Sequence, residues 1–295
     1  MRVALFGQFY PNDTKPIIAD LVQALLSQHL EVVIESDFQN TLQAEGLLSQ
    51  AFATYADHHS LQALRPDLLI SIGGDGTMLK AVTFVRDSGI PMVGINAGRL
   101  GFLAKVQREH LDDFVEVLKQ GRFHLSSRAL LQVQAQGIHV DWDDFPYALN
   151  EIAVSRKDTT SMITIDTRLD AHHLTAYWAD GLIMATPTGS TGYSLSCGGP
   201  ILMPEVESMV LTPIAPHNLN ARPLVISDQT LVQLTVTGRE SHFLVALDAR
   251  VFVVPNDTQL LLQKATFGLT LIEFDEEPFV KTLRNKLLWG EDKRN

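Results

Sequence analysis

The sequence predicts two domains of different class. The first is an α/β domain, a parallel sheet with helices on both faces, and the second is β-rich and sandwich-like. Three observations carry this reading. Up to about residue 124, short apolar runs alternate with amphipathic stretches; after His124 helical periodicity stops; from Phe279 an apolar stripe at helical spacing returns. The expected division is 1–124, 125–277 and 278–295, the last segment being a helix that packs back on the N-terminal domain.

Arg2 to Phe6 reads as a strand. Lys15 to His29 then places Ile17, Ile18, Leu21, Val22, Leu25 and Leu26 on one helical face. Glu31–Ile34 and Pro66–Ile72 read as strands, Thr77–Arg86 as helix, Pro91–Ile95 as strand and Glu109–Leu118 as helix. This alternation argues for a parallel sheet covered on both sides. Beyond His124 come short β-rich runs at 130–135, 151–154, 162–165, 231–236, 243–247 and 259–262, separated by Gly, Asn, Asp and Pro clusters. Phe279, Val280, Leu283, Leu287 and Leu288 then form the terminal stripe, which ends at Trp289-Gly290.

Composition narrows the function. A chain of 295 residues, 45% hydrophobic and 19% charged, is neither disordered, collagenous nor coiled coil, and is long enough to bury a core. Its formal net charge of −11 argues against duplex nucleic acid or an anionic membrane as partner, since phosphate binding needs a cationic face. The single cysteine, Cys197, has no intramolecular partner, which fits a reducing compartment. No apolar run approaches the ~20 residues of a membrane span. The opening run, Met1 to Gly7, is short for a signal peptide and breaks at Pro11-Asn12-Asp13. The expectation is a cytoplasmic protein with no nucleic-acid or membrane partner.

The strongest chemical feature is Gly73-Gly74-Asp75-Gly76-Thr77, which follows an apolar strand and opens a helix. Such a turn lies at the carboxyl edge of a parallel sheet, where these folds bind ligands. Glycines let the backbone approach an anion, and the helix N-terminus supplies unpaired N–H groups. The turn is neither a Walker A loop nor a Gly-x-Gly-x-x-Gly fingerprint. Asp75 is the odd residue, a carboxylate where phosphate oxygens should come. It suits a base for a hydroxyl or a Mg²⁺ ligand beside a triphosphate; the plainer reading is a helix cap in a glycine turn.

A second stretch, Thr186-Pro187-Thr188-Gly189-Ser190-Thr191-Gly192-Tyr193-Ser194-Leu195-Ser196, follows a short strand from Gly181. Its hydroxyls and backbone groups can read a ribose or a base edge, and Tyr193 can stack on a ring. Ser/Thr/Gly turns between strands are also common without any ligand. A third feature, Asn150-Glu151, reads by itself as a strand edge.

Together and in this order the three features resemble the NAD kinase family. Gly94-Ile95-Asn96-Ala97-Gly98, Leu100-Gly101-Phe102-Leu103, Asp180-Gly181-Leu182-Ile183, Pro216-His217 and Ala221-Arg222-Pro223-Leu224 extend the resemblance. It implies phosphorylation of NAD at the 2′-hydroxyl of its adenosine ribose, with ATP as donor and a divalent cation, Mg²⁺, as cofactor. It implies Asp75 as the base, Gly73, Gly74, Gly76 and Thr77 as the phosphate loop, and NAD in a cleft between the domains. Asn150 and Glu151 would hold the adenosine half, with contacts from Gly76, Thr191, Gly192, Tyr193, Ser194, Leu195 and Ser196. Asp180 would meet the nicotinamide side. Lys80, one turn into the helix, reads as a phosphate contact or as a solvated helix lysine. The family usually forms dimers or tetramers, so a homo-oligomer is expected.

Two rival readings stand beside this one. A diacylglycerol-type lipid kinase shares the first motif, and a regulatory protein could bind dinucleotide without catalysis. The sequence departs from the family pattern at Trp178, where many relatives carry a basic residue, and at Arg250, where many carry Gln. Arg250 is expected to restore positive charge. The residue types give no assigned metal site: beside the pairs His58-His59 and His172-His173 there is no His-Glu-x-x-His and no cysteine cluster, and Asp141, Asp143 and Asp144 lack the glycine and closing glutamate of a calcium loop.

Overall fold

Strands whose side chains are apolar on both faces must be covered on both sides. The computed structural model describes all residues except 9–14, 49, 99, 109–110, 159–160, 275–277 and 290–295. The break at Pro11-Asn12-Asp13, the first two residues of the helix expected from Glu109, and Gly290 therefore lie outside the described residues. The chain opens with β1 (Arg2–Gly7), α1 (Lys15–Ser27), β2 (Glu31–Glu35), α2 (Ser36–Ala44), β3 (Ala53–Tyr55), α3 (His58–Leu64), β4 (Leu68–Gly73), α4 (Asp75–Val85), β5 (Met92–Asn96), β6 (Ala104–Val106) and α5 (Leu111–Gln120). The strands run parallel in the order β3-β2-β1-β4-β5, with β6 beside β5. Val3 and Leu5 of β1 share a core with α1 and α5. Phe6, on the opposite face by strand alternation, lies 5.0 Å from the ring of Phe84 in α4. Helices therefore cover both faces.

The sequence reading lacked α2 and α3, which are short and rely on their caps. The Glu35 side chain accepts from the amides of Asp37 and Phe38, and Asp57 forms a reciprocal capping box with Ser60.

The β-rich half holds β7 (His124–Ala135), β8 (Tyr147–Ala148), β9 (Glu151–Arg156), β10 (Ile163–Leu169), β11 (His172–Ala179), β12 (Gly181–Ala185), β13 (Ser208–Ile214), β14 (Leu224–Ser227), β15 (Val232–Thr237), β16 (His242–Leu247), β17 (Arg250–Pro255) and β18 (Gln259–Glu273). One antiparallel sheet has the order β14-β13-β12-β9-β16-β17. The other layer is β11-β10-β15-β18, with β7 beside β18 and β8 beside β7. Ile152, Val154, Leu182, Met184 and Val245 from the first sheet share a core with Ile163, Ile165, Leu234 and Leu262 from the second. That is a sandwich, with every second residue of each strand turned inward.

By internal contacts the chain divides into residues 1–127 with 269–295, and residues 128–268. The sequence reading set these boundaries at 124 and 277. The shift arises because β18 starts in the second unit, paired with β15, and ends in the first, where Leu271 lies beside Met92 of β5. After Gly192 comes a single-turn helix, α6 (Tyr193–Ser196), and the chain closes with α7 (Phe279–Leu287). α7 belongs to the first unit, where the Phe279 ring lies 6.0 Å from that of Phe102. Its inner face differs from the expected stripe: Thr282 is fully buried, whereas Val280 and Leu288 are more than half exposed. Residues 279, 282, 283 and 286 share one helical side, and that side faces the domain. No helix among the described residues is long and apolar enough to cross a membrane.

Candidate active site

In the first unit the site is built where β4 turns into α4. Gly73 has φ +152°, and a Cβ there would lie 2.3 Å from Thr77 Oγ1, so both conformation and space require glycine. Gly74 is the N-cap residue, and no side chain caps the helix. At Gly74 and Gly76 an added Cβ would meet nothing within 4 Å. Their backbone is open to a ligand at a helix N-terminus, whose first amides have no intrahelical partner. Thr77 is buried, with its hydroxyl 3.4 Å from Gln8 Oε1, and Lys80 is exposed.

Asp75, first in α4, is not the helix cap. Its Oδ2 accepts the Phe102 amide at 2.8 Å, and its Oδ1 accepts those of Leu103 and Ala104 at 3.0 Å each. A Cβ on Gly101 would fall 1.9 Å from Asp75 Oδ1, so Gly101 is small because the carboxylate occupies that space. Lys286 of α7 places Nζ 3.9 Å from Asp75 Oδ2.

In the second unit the second and third motifs come together. Thr186 Oγ1 donates to the Leu149 carbonyl at 2.6 Å and the Thr186 amide to that of Asn150 at 2.9 Å, pinning the hydroxyl-rich loop on the Asn-Glu pair. Asp248, in the turn between β16 and β17, accepts three amides from below: Leu149 at 2.9 Å, Asn150 at 2.8 Å and Glu151 at 3.1 Å. Asn150 Oδ1 and Glu151 Oε2 are buried without a hydrogen-bond partner. Burial first, and the Asp248 charge second, push the Glu151 carboxyl up to about 8.

The remaining predicted residues divide by where they face. Tyr193 is exposed, and its hydroxyl is pushed up by partial burial first and then by the charges of Cys197, Asp180 and Glu151. Asp180 pairs with Arg156 Nη2 at 3.0 Å. Gly192 lies against the Glu151 carboxylate, and Ser196 is exposed beyond the partly buried Leu195. Ser194 turns inward instead: it is fully buried, with its hydroxyl 2.8 Å from Thr212 Oγ1. Thr191 donates to the Thr188 carbonyl at 3.2 Å.

The two departures also separate. Trp178 is half-exposed, with its ring 4.4 Å from that of His217. The Arg250 charge acts on the buried Asp248 carboxylate. Its guanidinium is spent on the carbonyls of Trp142, Phe145 and Tyr147, at 3.2, 2.8 and 2.5 Å, and lies over the Phe145 ring.

Sequence reasoning missed Asp248, Arg156, Lys286 and the role of Gly101. Each acts through a partner far along the chain, so spacing carries no sign of it. For Asp248, a carboxylate between two apolar strands was the available signal. Among the described residues no group of three or more His, Cys, Asp or Glu side chains could hold a metal ion.

Comparison with known proteins settles the family. Residues 3–123 match the ATP-NAD kinase N-terminal domain and residues 149–273 the ATP-NAD kinase C-terminal domain. Over its whole length the chain is 53% identical to the full NAD kinase of Flavobacterium psychrophilum. The chain belongs to the NAD kinase family. An NAD kinase of Cytophaga hutchinsonii is 42% identical, again over all of both chains. Two solved NAD kinase-type structures share the fold. A yeast NADH kinase complexed with NADH superposes with a TM-score of 0.88 at 22% identity, over 99% of this chain and 89% of that one. An NAD kinase from Archaeoglobus fulgidus in complex with ATP gives 0.73 at 25% identity, over 97% of each. Membership across both domains disfavours the lipid-kinase reading.

Proposed function

We propose that this enzyme transfers the terminal phosphoryl group of ATP to the 2′-hydroxyl of the adenosine ribose of NAD, giving NADP and ADP. The observation that carries the proposal is the pair of buried, unpartnered oxygens, Asn150 Oδ1 and Glu151 Oε2. A buried polar atom left unpaired costs about 1–3 kcal/mol, and hydroxyl or amino groups of an adenosine would relieve it. Asn150 and Glu151 hold that half, Tyr193 and Gly192 border it, and Asp180 meets the nicotinamide side. The inward Ser194 hydroxyl supports the loop, and contacts from Thr191, Leu195 and Ser196 come from the outer part of the same turn.

Asp75 takes the proton of the attacking hydroxyl. A carboxylate offers about four acceptor positions; backbone amides fill three, and the remaining one lies on Oδ2. As the new O–P bond forms and the bond to ADP breaks, charge on the phosphoryl oxygens is met by the amides of Gly74 and Gly76, with Lys80 one turn along. A divalent cation, when bound, neutralises the phosphates. Asp75 would be the carboxylate beside such a cation. The single cysteine fits a cytoplasmic enzyme, and the family resemblance implies a homo-oligomer, a dimer or tetramer.

The test is one coupled assay of NADP formation from ATP and NAD. Substitution Asp75→Asn should cut turnover about 10²–10⁴-fold while NAD still binds. Absence of NADP from the wild-type protein, with NAD bound, would favour the regulatory reading.

A further inference from the structure

The ammonium of Lys286 stands beside the carboxylate that takes the proton, yet it forms no hydrogen bond with it. Its Nζ lies 3.9 Å from Asp75 Oδ2 and 5.0 Å over the Phe102 ring, whose own amide donates to the same oxygen. Phe102 in turn rests against Phe279, one helical face with Lys286 on α7. The lysine stem is thus held by packing, and its N–H groups have no hydrogen-bond acceptor among the described residues.

An acceptor hydroxyl that gives its proton to Asp75 Oδ2 lies in contact with that oxygen. The phosphorus it attacks lies about 3–3.5 Å further on in a near-attack geometry. A cation 3.9 Å from Oδ2 is therefore within a side-chain adjustment of the phosphoryl oxygens. Asp75 already accepts three amides, so it does not depend on Lys286 for a partner.

We propose that Lys286 of the C-terminal helix binds the terminal phosphoryl group of the donor nucleotide and stabilises its charge during transfer. The proposal rests on the kinase reading above. It assigns to the last helix a direct part in the site, where packing alone would otherwise explain it. A nucleoside triphosphate gains this contact and a diphosphate does not.

Binding to the full-length protein separates the two cases. Calorimetry with Mg²⁺ and either a non-hydrolysable ATP analogue or ADP is run on wild type, Lys286→Met, Lys286→Gln and Lys286→Arg. Both neutral variants should weaken the ATP analogue about tenfold, the loss of one charge-assisted contact, while ADP changes less than about twofold. Turnover should fall about tenfold or more with KM for NAD nearly unchanged, and Lys286→Arg should recover most of both. Equal losses for analogue and ADP, or no loss in whichever neutral variant keeps the wild-type melting temperature, would overturn the proposal. Failure of wild type to make NADP would instead overturn the kinase reading itself.

Discussion

Asp248 accepts the backbone amide of Glu151 at 3.1 Å, and its charge adds to the burial that raises the Glu151 carboxyl to about 8. The two acids are not equivalent. Burial raises Asp248 too, but three amides and the Arg250 charge oppose the shift, whereas Glu151 Oε2 has no partner. The three amides on Asp248 favour its charged form, and nothing does the same for Glu151 Oε2. Asp248→Asn turns an NH₂ toward one of the amides that the carboxylate accepted. It should cost about 1–3 kcal/mol of stability, read by urea denaturation, and raise the Kd for NAD several-fold. Unchanged stability would show that the Asn-Glu turn is held without Asp248.

Glu151 also makes a signed prediction about pH. Its carboxyl is raised from 4.5 in the unfolded reference to about 8 in the fold. Stability from this group is complete below about 4.5, falls as pH rises while only the unfolded chain loses the proton, and is lost above about 8. Glu151→Gln, neutral at every pH, removes this slope. The difference in unfolding free energy between wild type and Glu151→Gln should move against wild type from pH 5 to pH 8. A constant difference would place the Glu151 proton elsewhere.

Gly101→Ala is expected to be far more damaging than Gly98→Ala. The new methyl at 101 would lie 1.9 Å from Asp75 Oδ1, whereas at 98 it would meet nothing within 4 Å. Overpacking of this kind costs about 1–3 kcal/mol, and here it displaces the proposed base as well. Turnover of Gly101→Ala should drop at least about tenfold, with Gly98→Ala near wild type in melting temperature. Similar behaviour of the two would mean that the loop yields and Asp75 does not depend on it.

How much of this was legible follows from the range of each interaction. The strands around Leu5 and Ile70 and the helix from Ile17 to Leu26 are local patterns, and apolar spacing alone reveals them. Gly73 to Thr77 is equally local, because a strand, a glycine turn and a helix start are consecutive. The Asp75–Phe102, Asp248–Asn150 and Lys286–Asp75 contacts join residues 27, 98 and 211 positions apart. Nothing in the spacing of one segment encodes a partner in another. The last helix shows the same limit: of its expected stripe Phe279 packs on Phe102, but Val280 and Leu288 are exposed and the polar Thr282 is buried.

Trp178 carries the last prediction, on substrate choice. It is 48% exposed, sets its ring 4.4 Å from that of His217 in a tilted arrangement, and ties its own amide to Asn218 Oδ1 at 2.9 Å and its carbonyl to the His217 amide at 2.8 Å. The backbone bonds survive any substitution of the side chain, so the fold depends little on the indole. Two residues later Asp180, the proposed nicotinamide-side contact, is already paired with Arg156 at 3.0 Å. A second cation at 178 would compete for that carboxylate and add positive charge near the ring that differs between NAD and NADH. Oxidised nicotinamide is cationic and the reduced ring is neutral, so the added charge should disfavour NAD. Trp178→Lys and Trp178→Arg should therefore lower the ratio of kcat/KM for NAD over NADH by more than ~3-fold, the scale of one altered contact. Melting should shift by only a few degrees, since an exposed ring contributes little burial. An unchanged ratio with a large fall in melting temperature would make Trp178 a structural residue of the 216–218 loop and remove it from substrate selection.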